Sequence, residues 1–170
     1  MVEGWSPDYT LETARSEVYR NPGHMIYVIG GPLEHGAPLS EYKTYAELGA
    51  ATLRQMGMSN DTVQAVPAPL VRKDRTYAAA VALRDWFRQR GRVPKAFNLI
   101  STGAHARRSR LMFEKAFGGD SRVGIIDVED RDYDSHQWWK SSQGVRSVLD
   151  EMIAYAYARF LFFPPRDAQP

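Results

Sequence analysis

The chain has no cysteine. That excludes a disulfide framework, a thiolate nucleophile and a zinc–thiolate site, and it suits cytoplasm and periplasm equally. There is no apolar run of the roughly 20 residues needed to cross a bilayer. The longest candidate, IAYAYARFLFF (153–163), is too short and contains Arg159. No secretory leader is recognisable at the start. Charge of one sign is also missing. Lys and Arg total 22 against 20 Asp and Glu, mixed along the chain, and such a balance gives no footprint for nucleic acid.

Several chemical signatures are absent as well. No G-x-G-x-x-G marks a dinucleotide fold, and no G-x-x-x-x-G-K-[ST] marks a nucleotide-binding P-loop. No G-x-S-x-G marks a hydrolase elbow. DRDYDS (130–135) starts like a calcium loop but has Ser135 at the turn glycine and Ser141 at the closing Glu, so it reads as a solvated loop. His24, His35 and His136 lack metal-ligand spacing, and no metal site is expected.

What remains is an ordinary globular composition, 44% hydrophobic in 170 residues, enough for one domain with a real core. Strand and helix patterns alternate. MVEGW reads as the tail of a first strand whose natural start lies upstream, with a membrane anchor ahead of it as a possibility. Residues 9–20 have helical spacing and stop at Asn21-Pro22-Gly23. HMIYVIGGP (24–32) is a continuous apolar run, as expected of a buried parallel strand. Ser40 is expected to open a helix to about Gln55, with Gly57 just beyond. Then come a short strand in TVQAVPAP, a helix from Lys73 or Asp74 stopped by Gly91, and a strand in KAFNLIS. A helix ended by Gly118-Gly119, a fifth strand over 122–128 and a last helix from about Ser142 to Phe162, stopping at Pro164-Pro165, complete the chain. Five β-α units predict a three-layer Rossmann-like α/β sandwich on a mostly parallel sheet. Trp138-Trp139 and the aromatic face Tyr155, Tyr157, Phe160, Phe162 and Phe163 are read as core packing.

Ligands of such sheets bind beyond the carboxyl ends of the strands. Two helices start there amid cations, one with Arg72, Lys73 and Arg75, the other with His105, Arg107, Arg108 and Arg110. The helix dipole disfavours cations at that end, and a bound anion would resolve the conflict. A phosphate- or carboxylate-bearing ligand is therefore expected. His105 and Arg108 share a helix face, and they form the first candidate pair. Arg107 suits either ligand or solvent. Arg72 and Lys73 read as solvated, and Arg110 as the i,i+4 partner of Glu114. Thr76, Thr102 and the Gly30-Gly31 backbone would complete a cradle with Arg75, and Ser101 lies beside them. His105 would be a general acid or base, its ordinary pKa suiting proton transfer near neutrality. Its carboxylate partner is not identifiable by spacing; Asp127, at the fifth strand's end, is a candidate if the strands are neighbours.

STGAHARR, IGG and RTYAAA together resemble the YdcF-like family of bacterial envelope proteins, which includes SanA and ElyC. The match runs from the first strand to about Val128. The family's Thr-Ser-x-x-His step, with Arg three residues later, matches at His105 and Arg108, and its glycine pair at Gly30 and Gly31. At the Asn-Thr-x-x-Asn-Ala helix start, Thr76 and Ala80 match, while Arg75 and Ala79 replace the asparagines. A Glu-Ala step falls on Tyr45-Ala46, without its carboxylate. The resemblance implies a Rossmann-like sandwich in a divergent subfamily and a link to peptidoglycan or lipid-carrier metabolism. It implies an envelope or cytoplasmic location, with membrane attachment in many members. A transferase or hydrolase acting on a phosphorylated envelope intermediate is one expectation. A non-catalytic nucleotide-like or S-adenosylmethionine-binding module is the alternative, since one relative binds that cofactor. An interaction scaffold built on the aromatic C-terminal helix is a third. The cofactor is not specified.

Overall fold

The computed structural model describes residues 1–164. Five strands form one parallel sheet: β1 (Val2–Glu3), β2 (Ile26–Gly30), β3 (Val63–Pro67), β4 (Ala96–Thr102) and β5 (Arg122–Val128). Their spatial order is β3-β2-β1-β4-β5. The helices are α1 (Asp8–Arg20), α2 (Tyr45–Gln55), α3 (Arg75–Gln89), α4 (His105–Phe117) and α5 (Ser142–Ala156). The expected three-layer α/β sandwich is the observed architecture.

Side-chain alternation along the strands builds the two outer layers. Val2, Ile26, Val28 and Ile100 pack with Leu11 and Ala14 of α1 and Ala50 and Leu53 of α2. Ile29, Val66 and Leu99 face the other way, onto Leu83 and Phe87 of α3 and Met112, Phe113 and Phe117 of α4. Strand β1 has only two residues yet occupies the centre, Val2 pairing with Val28 on one side and Ile100 on the other. The chain proceeds from β1 to β3 in one direction, then returns through α3 to place β4 against the other side of β1. The reversal between β1 and β4 is the topological switch where such sheets open a crevice for ligands.

Helix α2 begins later than Ser40. Residues 36–40 form a turn, and the helix is capped by Thr44 in a full capping box with Glu47. Fixing two backbone donors outcompetes an isolated Ser. Helix α5 continues through a π-helical turn, Tyr157–Leu161; Pro165 lies outside the described residues. The aromatic tail is only partly core. Ala158 and Phe162 are buried against α3 and α4, Tyr155 is half-buried, and Tyr157, Phe160 and Phe163 are exposed. Trp139 is exposed too, and packs edge-on to Trp138 in a 3-10 turn, not in the core. No helix among the described residues is long and apolar enough to cross a membrane.

Candidate functional site

A cavity of about 580 Å³ lies over the carboxyl ends of β1 and β2, walled by α3, α4 and α5. Its polar wall is a four-residue cluster. Strand alternation turns Val2 toward α1 and Glu3 toward α4, and Glu3 is 97% buried at the end of β1. Its Oε2 accepts from Ser101 Oγ at 2.7 Å, and its Oε1 from Ser109 Oγ at 3.1 Å. His105 Nε2 lies 3.3 Å from the same Oε1. On the ring's other side, His105 Nδ1 lies 2.8 Å from Glu151 Oε1, a carboxylate supplied by α5. Arg108 grips Glu151 with both arms of its fork, Nε to Oε2 at 2.7 Å and Nη2 to Oε1 at 2.9 Å. Its third nitrogen reaches Thr76 Oγ1 at 3.4 Å. Trp5 stands edge-on to the imidazole, with ring centres 4.9 Å apart.

These contacts favour the charged form of His105. Burial alone would push its pKa down, but the Glu3 charge and the hydrogen bonds to Glu151 and Glu3 outweigh it and raise it to about 9. The ring is an imidazolium at neutral pH. Arg108 Nη2 also lies 2.8 Å from Nδ1, and both nitrogens lie 2.8 to 2.9 Å from the one Glu151 oxygen. The expectation that His105 titrates near neutrality does not hold: as an imidazolium it can donate a proton but cannot accept one. Burial works to raise both carboxyls as well. The His105 charge and the three donors nevertheless hold Glu3 below its ordinary value. Hydrogen bonds from Arg108 and His105 take Glu151 down to about 2.

The cavity brings together His105, Arg108, Arg75, Thr76, Gly30 and Gly31 of the candidates read from sequence. The two glycines differ. A Cβ on Gly30 would come within 2.7 Å of Tyr45 Cβ and 2.9 Å of the Ala46 nitrogen, so its smallness serves the packing of α2 on β2. A Cβ on Gly31 would meet nothing closer than 3.8 Å, leaving its backbone open to the cavity. Arg75 stands at the mouth, paired with Glu34, both side chains at least half exposed. Ahead of it Asp74 adopts a left-handed conformation, φ 55°, and makes no side-chain cap, so the first amides of α3 have no side-chain partner there.

Three candidates do not line the cavity. Ser101 is buried beneath it and serves Glu3. Thr102, the next residue, points to the opposite face of the sheet and shares a 2.8 Å hydrogen bond with Thr10 of α1. Arg107 is exposed, its guanidinium 5.6 Å from the Tyr155 ring centre. Arg110 pairs with Glu114 at 2.9 Å, as expected. Asp127 does not orient His105: it is raised by burial and held by the Gly103 backbone amide.

Sequence reasoning missed Glu3 and Glu151. Glu3 was visible only as a carboxylate ending a strand fragment. Glu151 carries no local signal, being one more acid on an amphipathic helix. Among the described residues, no group of three or more His, Cys, Asp or Glu side chains is arranged to hold a metal ion. No family model, curated protein or solved structure matches the chain.

Proposed function

We propose that this protein binds a small phosphate-bearing metabolite in the cavity over the carboxyl ends of β1 and β2 and acts on it as a transferase or hydrolase. One observation carries this reading: the uncapped start of α3, with Arg75 and Thr76, opens onto the same cavity that His105 and Arg108 line. Backbone amides at a helix start, a guanidinium and a hydroxyl are the groups that hold a phosphate. Gly31 leaves room for its close approach. The imidazolium of His105, oriented by Glu3, would stabilise charge on the leaving oxygen or protonate it. The resemblance to YdcF-like proteins adds the class of substrate, an envelope intermediate such as a polyprenyl phosphate.

Calorimetric titration with inorganic phosphate, pyrophosphate and a soluble prenyl phosphate tests this reading. Binding weakened by Arg75→Ala is the expected result. His105→Gln should still bind through Arg75 and the start of α3, more weakly, and lose turnover. Absence of binding across all three probes would overturn the reading.

A second reading has its own support. The cavity lining holds Glu3, Glu34, Asp74 and Glu151 against Arg75, Arg108 and the His105 imidazolium, one negative charge in excess. That balance admits a cationic ligand, and S-adenosylmethionine, a sulfonium, fits it as a non-catalytic occupant. Saturable binding of S-adenosylmethionine with no competition from pyrophosphate would select this module over the enzyme.

A further inference from the structure

The lining's negative excess raises a question that the phosphate reading must answer. An anion entering this cavity meets four carboxylates, and its two buried cations, Arg108 and the His105 imidazolium, are already engaged. We infer that Glu151 is a resident stand-in for an anionic group of the ligand, occupying an anion subsite on Arg108 and His105 until the ligand displaces it. The inference rests on the phosphate-binding reading and adds a second contact point to it.

Geometry supports the exchange. Arg108 meets the two Glu151 oxygens in the side-on, two-bond fork by which arginine also takes a phosphate or a free carboxylate. His105 Nδ1 donates to one of those oxygens, so the subsite offers three N–H bonds to a single anion. Thr76 lies 3.4 Å from the remaining Arg108 nitrogen, so the subsite abuts the start of α3. A ligand phosphate could span the two.

Glu151 is also the carboxylate best able to leave. Glu3 is locked by Ser101, Ser109 and His105 inside the sheet edge. Glu34 and Asp74 do not contact Arg108 through any hydrogen bond, although the Asp74 charge, like that of Glu3, bears on it. Glu151 instead rides on α5, whose only buried residue is Gly144. Leu149, Met152 and Ile153 of that helix face solvent. The helix is anchored beyond its end, at Ala158 and Phe162, with Lys115 donating to the Phe162 carbonyl. Swinging its middle away uncovers the half-buried Tyr155 but no fully buried side chain. Trading one anion for another keeps Arg108 and His105 paired, which avoids stranding a buried charge. The freed carboxylate passes into water.

The test uses pyrophosphate, titrated calorimetrically at pH 7 into the full chain and into Glu151→Gln. A resident anion lowers apparent affinity by the fraction of time it occupies the subsite, so its removal should tighten binding about tenfold or more. Adding Arg108→Gln to Glu151→Gln should cancel that gain. In the unsubstituted chain, saturating pyrophosphate should speed amide hydrogen exchange across Ser142–Ala156. Should Glu151→Gln not fold, Glu151→Asp, which keeps the charge on a shorter stem, should give a smaller gain, and the exchange measurement still applies. Equal affinity in Glu151→Gln and the unsubstituted chain, with binding still weakened by Arg75→Ala, would overturn the subsite and leave the phosphate reading standing. Unchanged exchange at saturation would overturn the displacement likewise. Absence of binding in every form would overturn both.

Discussion

Helices α3 and α4 both begin amid cations, and the protein answers the two in different ways. At α4 the answer is internal: Glu3 from the central strand and Glu151 from the last helix neutralise His105 and Arg108. At α3 the answer is superficial: Arg75 meets Glu34 at the cavity mouth, where water competes with both. The first arrangement fixes geometry and charge. The second leaves a cation and a helix start available. On the proposed phosphate reading, the exposed start of α3 would meet the ligand first and the enclosed start of α4 would act on it.

The sharpest way to break the contrast is Glu3→Ala. It leaves an imidazolium and two serine hydroxyls without their shared acceptor in a buried place, and removing one partner of a buried pair costs about 3–5 kcal/mol. Denaturant unfolding should show that loss. The matching change at α3, Arg75→Ala, should fall within about 1 kcal/mol, as for exposed pairs generally.

The next effect is a pH profile. His105 is raised from 6.5 to about 9 in the folded state, so its contribution is complete below about 6.5 and is lost as pH rises toward 9. Glu151 is lowered from 4.5 to about 2, so its contribution is complete above about 4.5 and is lost as pH falls toward 2. The contributions of this pair should therefore both be complete between these limits. His105→Gln should remove the alkaline limb. Imidazole carbon shifts followed by NMR should titrate near pH 9, and Glu151→Gln should bring that midpoint down.

A smaller effect separates the two glycines. Gly30→Ala drives a methyl into Tyr45 and Ala46, an overpacking that costs about 1–3 kcal/mol. Gly31→Ala meets no such obstacle and should unfold like the unsubstituted protein, while weakening ligand binding by narrowing the cavity. Arg110→Ala falls between the two glycine variants, costing about 0.3–0.5 kcal/mol, the worth of an exposed i,i+4 pair. Thermal unfolding of the three variants checks the ranking.

Much of the frame was legible. The run ending in Gly30-Gly31 announced a buried parallel strand, and the fifth strand fell on Arg122–Val128 as expected. The start of α2 was misplaced although its signal was present: Thr44-Tyr45-Ala46-Glu47 spells a capping box, and the more upstream Ser40 drew attention from it. The tail aromatics read as one core face because periodicity reports amphipathicity, not whether a neighbour covers it. Of that face only Phe162 is fully buried against α3 and α4, while Tyr155 packs half-buried on the same core.

His105 and Arg108 were legible as a pair because a helix makes i and i+3 neighbours whatever surrounds it. The division between Ser101 and Thr102 was not, since it depends on which face of the sheet each helix covers. The sequence by itself determined the alternation of elements, the parallel sheet and the edge on which the cations gather, because these follow from local periodicity and strand-to-helix connection. Only the tertiary structure decided what those cations do. Glu3 stands 102 residues from His105, on a strand too short to show a period, and Glu151 stands 46 residues away on the last helix. Carboxylates so distant along the chain become partners through the order in which strands pair. That order sets the charge of the imidazole.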